Sequence, residues 1–179
     1  TWVLAHANAL LNTPANKLVL ANAANSSGRL LLSNGLALVR SIQTAGTASS
    51  MTNTSSAIVI EAATLAATVE CQLGNGAASQ GSVVLAHPDA LLSVTGIEVR
   101  MSYATNTFTS LVLSNGTMQA RAINMGSGTI GSPTAQNAEW ITYNATNRLV
   151  GLTNAAAFIT IGNRPACTGL MVLAHAGAV

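Results

Sequence analysis

Three histidines, His6, His87 and His175, each close a copy of the tetrapeptide VLAH, at 3–6, 84–87 and 172–175. Three imidazoles are a known zinc set, in which neutral ring nitrogens take three corners of a tetrahedron. Such a site also needs groups that orient the rings, and no Asp, Glu or Cys recurs beside all three copies. The residues therefore predict strand histidines with structural hydrogen bonds, and neither metal nor other cofactor. His87 and Asp89 stand two apart and would share one face of a strand, as two members of a serine triad could. No G-x-S-x-G or comparable elbow is present to expose a nucleophile. Glycoside hydrolysis asks for two carboxylates roughly 5 to 10 Å apart. Glu61, Glu70, Glu98 and Glu139 offer no pair that their spacing singles out. The expectation is a protein without catalytic residues.

Other side chains with binding chemistry give equally little. Trp2, Trp140, Tyr103 and Tyr143 are too few for a sugar-stacking platform, and core packing is expected of them. N-x-S/T sequons stand at Asn25, Asn53, Asn115 and Asn144, no more than the abundance of these residues produces by chance. Cys71 and Cys167 could form one disulfide or none. Nucleic-acid binding requires clustered cations, whereas the arginines here are dispersed from Arg29 to Arg164 around a single lysine, Lys17. Charged residues make up 7% of the chain and hydrophobic ones 49%, against about 25% charged in an ordinary soluble domain. Neutral polar groups supply the remaining polarity, so little charge repulsion holds copies apart. No apolar run reaches the roughly 18 residues of a membrane helix. With no basic or apolar leader before it, Thr1 fits the start of a processed, secreted chain, placed outside the cell or on its surface and not inserted in a membrane.

The elements that must position these residues are set by a duplication. Shifting the chain by 81 residues matches 16 of 40 positions between 3–42 and 84–123. Asn34-Gly35 and Asn115-Gly116, each between apolar runs, predict type I′ hairpins at equivalent places. Residues 44–56 and 125–137 read as long loops, and 57–60 and 138–141 as strands. The alanine-rich 61–70 is read as β because its partner, 142–151, favours strand and turn. Residues 157–161 form a further apolar strand. Short β-type runs recurring at about 8 to 12 residues predict an all-β fold, a β-sandwich or jelly roll. It would be one domain, 1–179, made of repeats 3–83 and 84–171 with about five strands each. A third, partial copy of the opening strand follows at 172–179.

Two repeats need two opening strands, and this chain has three. The surplus strand must pair somewhere, because bare strand edges template association. With its apolar N-terminal run at 2–11, its Ser/Thr/Asn/Gly-rich β composition and its size, the chain resembles the β-sandwich pilus subunits that polymerise by donor-strand exchange. The resemblance implies an extracellular structural fibre without catalysis, a helical homopolymer of copies of the chain. The expected interface comprises Trp2, Val3, Leu4, His6, Leu10 and Leu11 of one subunit, inserted beside Leu170, Val172, Leu173 and His175 of the next. A viral capsid or decoration protein and a secreted carbohydrate-binding module are the alternatives from other classes.

Overall fold

The computed structural model describes residues 1–44, 52–102, 104–126, 136–151, 156–162 and 167–174. They wind as a parallel β-solenoid. The first winding holds β1 (Trp2–Leu4) and β2 (Leu10–Leu20). The second and third are long bent strands, β3 (Ser27–Thr44) and β4 (Ser55–Leu73). In the fourth the same path is divided among β5 (Gln80–Leu85), β6 (Leu91–Val94) and β7 (Glu98–Met101). The fifth holds β8 (Thr107–Leu113), β9 (Thr117–Ala120) and β10 (Ala122–Met125). The sixth holds β11 (Gln136–Thr142), β12 (Thr146–Leu149) and β13 (Phe158–Ile161), and β14 (Cys167–Leu173) opens a further winding. Three faces result. β5, β8, β11 and β14 stack on the first, β6, β9 and β12 on the second, and β7, β10 and β13 on the third.

Strand alternation places every second side chain inside. On the first face Leu30, Ile58, Val83, Leu111 and Trp140 form one core column, and the first four are wholly buried. On the third face Ile42, Cys71, Val99 and Ile123 form another. Each residue stacks on its counterpart about 4.8 Å away along the axis.

The expected β-sandwich or jelly roll is not formed. Every strand pair is parallel, so neither facing sheets nor hairpins arise among the described residues. Of each Asn-Gly pair only the glycine adopts positive φ, 89° at Gly35 and 87° at Gly116, while Asn34 and Asn115 do not, so the expected type I′ turn is not formed. The glycines use it to bend the chain from the first face to the second without reversing it. The reason for glycine is the layer beneath. A Cβ on Gly35 would lie 2.3 Å from the Ala9 carbonyl oxygen, and one on Gly116 2.6 Å from that of Ala90. Each Asn-Gly corner thus sits on a VLAH corner.

The 81-residue duplication is three windings. Leu30 pairs with Ile58, Ile58 with Val83 and Val83 with Leu111, in steps of 28, 25 and 28 residues. From Val84 the ladder runs to Val112, Ile141 and Val172, in steps of 28, 29 and 31. The three VLAH copies therefore occupy one column, three windings apart. Residues 61–70 lie inside β4, 57–60 in β4 and 138–141 in β11. The expected loops at 44–56 and 125–137 fall largely outside the described residues. A second recurring device opens the windings. Asn25, Asn53, Ala78 and Asn106 hold φ of 57°, 54°, 50° and 53° at equivalent corners, a conformation that asparagine tolerates better than most residues.

Candidate assembly surfaces at the two ends

At one end of the solenoid β1 and β2 pair only with β3. At the other, β12, β13 and β14 pair only with β9, β10 and β11. Their outer edges carry backbone N–H and C=O groups without a neighbouring strand among the described residues. Core columns that are sealed inside open at these edges. On the C-terminal side Ile159 and Ile161 are 38% and 45% exposed and Leu173 is 53% exposed, while the residues beneath them, Ile123, Met125 and Thr142, are wholly buried. At the N-terminal end Trp2 is 59% exposed above the buried Leu30. Leu18 and Leu20 are buried even there, so this end is open mainly over the first two faces.

The expected interface residues separate into two sets at opposite ends of the axis. Trp2, Val3, Leu4, Leu10 and Leu11 lie on β1 and β2; Leu170, Val172 and Leu173 lie on β14. His175 is outside the described residues. In the single chain the N-terminal strand is paired within its own fold. Trp2, Val3 and Leu4 pair with Leu30, Leu31 and Leu32, and Leu10 and Leu11 with Leu36 and Ala37, all of the same chain. Leu4, Leu11 and Met171 pack against the core, whereas Val3 and Val172 continue an outward aliphatic column through Leu31, Val59, Val84, Val112 and Ile141. Leu149, Ile159 and Ile161 belong to the same open edge and went unselected. The apolar run at 157–161 marked a strand, but nothing local in it marks a strand at an edge.

His6 and His87 stand at corners and are not strand residues. The Asn8 N–H donates to His6 Nδ1 at 3.1 Å and the Asp89 N–H to His87 Nδ1 at 3.1 Å. The turns close with Ala9 N–H to the His6 carbonyl at 2.7 Å and Ala90 N–H to that of His87 at 2.9 Å. Asp89 Oδ2 lies 3.7 Å from His87 Nδ1. An Nδ1 that accepts a backbone hydrogen bond is a structural group. Three windings separate His6 from His87 by about 14 Å, too far to share an ion, and among the described residues no group of His, Cys, Asp or Glu could hold a metal.

Two of the acidic side chains are likewise hydrogen-bonded. Glu98 is buried on the third face, where Arg100 donates to it through Nε at 2.8 Å and again through Nη2, and Asn124 donates to its other oxygen. Its register neighbour Glu70 accepts from Gln72 Nε2 at 2.9 Å, and Gln72 in turn accepts from Gln43 at 2.9 Å. Of the aromatics, Trp140 is in the core as expected, Trp2 and Tyr143 are exposed, and Tyr103 lies outside the described residues. No disulfide joins the cysteines. Cys71 sits in the third-face core column, where burial, reinforced by the neighbouring Glu70 charge, pushes its thiol up to about 12. Cys167 opens β14 and donates to Gln136 Oε1 at 3.0 Å.

The sequons turn out to be corner ladders. Asn53 Nδ2 donates to Asn25 Oδ1 at 3.3 Å, and Asn144 Nδ2 to Asn115 Oδ1 at 3.4 Å. No helix among the described residues is long and apolar enough to cross a membrane. No family model, curated protein or solved structure matches the chain.

Proposed function

We propose that the chain is a structural unit of an extracellular fibre, whose copies stack end to end along the solenoid axis. One observation carries this reading: core columns sealed in the inner windings open on all three faces at the C-terminal end and over the first two at the N-terminal end, alongside strand edges ready to pair. Covering a Leu or Ile side chain contributes about 1.5–3 kcal/mol before ordering costs. The C-terminal edge offers Leu149, Ile159, Ile161 and Leu173. The two ends are different surfaces, so their contact is head-to-tail; such a contact does not close and generates a filament. The arginines are dispersed along the sequence, and copies of the chain are the partners proposed.

The test is electron microscopy and sedimentation of the purified 179-residue chain across a concentration series. Fibres one solenoid wide are expected, lost when Ile159 and Ile161 are both replaced by Lys. A chain that stays monomeric at millimolar concentration overturns the reading. The extracellular setting belongs to the same proposal, and requires antibody against the chain to label intact cells, not only lysed ones.

A further inference from the structure

We infer that, where two copies meet, β14 of one copy takes the place of β1 of the next. This rests on the stacking proposed above and specifies its joint. The C-terminal end is a step and not a plane, because β14 adds one strand to the first face while β12 and β13 remain uncovered on the other two. The N-terminal end is a complete layer, β1 on the first face and β2 on the second and third. A complete layer does not seat on a step. For β2 of an incoming copy to reach β12 and β13, its β1 must occupy the volume that β14 already fills.

The sequence resolves the conflict by making the two strands equivalent. Met171, Val172 and Leu173 lie in the same three columns as Trp2, Val3 and Leu4, traced through Leu30, Leu31 and Leu32 by way of each intervening winding. The sequences also run on alike, WVLAHANAL at 2–10 against MVLAHAGAV at 171–179. The pairing that exchange would create already exists inside the chain. Val83, Val84 and Leu85, on the strand that runs into the middle VLAH corner, pair with Leu111, Val112 and Leu113 of the LVLSNG strand. Met171, Val172 and Leu173 against Leu30, Leu31 and Leu32 of the LLLSNG strand would repeat that contact. β1 is the weaker of the two competitors: it pairs over three residues, with Trp2 and Val3 more than half exposed, while β14 pairs over seven. Exchange thus replaces a short, exposed strand by a longer one and completes the winding that β14 begins.

The test staples β1 to its own chain. Val3 and Leu31 are register neighbours on adjacent parallel strands, at a separation of about 5 Å that suits a disulfide. V3C/L31C is made in a C167S background, and folding of the oxidised form is checked by circular dichroism. Oxidised chains should assemble about tenfold more slowly or worse, and recover on reduction. Independently, mixed L31C and V172C chains should give disulfide-linked dimers within fibres. If stapled chains assemble as fast as reduced ones, or the mixed chains never cross-link, the exchange is overturned and plain stacking stands. If the unmodified chain forms no fibre, the stacking reading itself falls, and the joint with it.

Discussion

Gly116 offers the most direct test of the corner architecture. Replacing it with Ala places a Cβ 2.6 Å from the Ala90 carbonyl oxygen and 2.8 Å from that of His87, on a backbone held at φ of 87°. The left-handed conformation alone costs a residue with a Cβ roughly 1–2 kcal/mol. Both oxygens belong to the backbone of the 87–90 corner, which cannot rotate away as a side chain would. Moving it strains the Thr117 N–H bond to Ala90 at 2.8 Å and the Ala90 N–H bond to His87 at 2.9 Å, each contributing about 0.5–1.5 kcal/mol. The expected loss is therefore about 2–4 kcal/mol, read from urea unfolding by far-ultraviolet circular dichroism, with faster amide exchange at Ala90 and Thr117. Gly35→Ala is the informative partner. Its static contact is tighter, 2.3 Å to the Ala9 oxygen, but the 6–9 corner belongs to the first winding and, among the described residues, has no neighbour on its outer side. That corner can lift, while the 87–90 corner is also tied to the third winding through the Ala86 N–H to the Ile60 carbonyl at 2.9 Å. Gly116→Ala should thus cost more than Gly35→Ala. A loss under about 0.5 kcal/mol at Gly116, or an equal or greater loss at Gly35, would refute the stacked-corner account.

Asn53 should tolerate Gly at a cost of about 0.5 kcal/mol, since only its contact to Asn25 is lost, whereas Val should cost about 2 kcal/mol because a β-branched residue resists positive φ; thermal melts that ranked Val above Gly would contradict this. Cys71 predicts an alkaline limit. The folded chain keeps the thiol proton up to about pH 12, while the unfolded chain releases it near its ordinary value of 9.0. The stabilisation is complete below about pH 9 and is lost progressively as pH rises toward 12, because the unfolded state then binds fewer protons. Denaturation at pH 8, 9.5 and 10.5 should show this decline in the native chain and a shallower one in Cys71→Val; parallel profiles would remove Cys71 as the cause.

Much of this was legible in the residues, but at the wrong scale. The VLAH copies and the 81-residue shift are visible because every third winding carries the same corner. The single winding is hidden. Successive corners at one position are built from unlike residues, His6 to Ala9, then Asn34-Gly35, then Ala62-Ala63, and the steps vary from 25 to 31 residues. Core columns need only volume and apolarity, so Leu30, Ile58, Val83, Leu111 and Trp140 share a column without sharing an identity. The Asn-Gly hairpin was a misreading of the same kind: positive φ is a local property, and whether the chain then reverses or continues depends on the strand beneath, which the dipeptide does not encode. The ends were legible as apolar strands at 2–11 and 170–175, since exposure at an edge leaves composition unchanged. That they stand at opposite ends of one axis follows only from the winding.

The scarcity of charge has a cause in this architecture that the composition alone assigns to a polymer's surface. In a parallel, in-register stack every side chain has a like-positioned neighbour about 4.8 Å above and below, so repeating a charge along a column repeats the repulsion between like charges opposed across strands. Neutral Asn, Gln, Ser and Thr can instead extend along the axis by donating to the layer beside them, as Asn53 does to Asn25 and Gln43 to Gln72. The exception is instructive. Glu70 and Glu98 are direct register neighbours, and there the sheet supplies Gln72 to one carboxylate and Arg100 with Asn124 to the other. Several other charges stand beside neutral residues: Lys17 beside Ser41, Arg29 beside Ala57, Glu139 between Ser110 and Leu170, and Arg148 beside Gln119. A charge-poor chain is thus what a solenoid of stacked columns requires, whether or not its copies associate. The case for association rests on the open core columns at the two ends and on β14 repeating the strand that opens the chain.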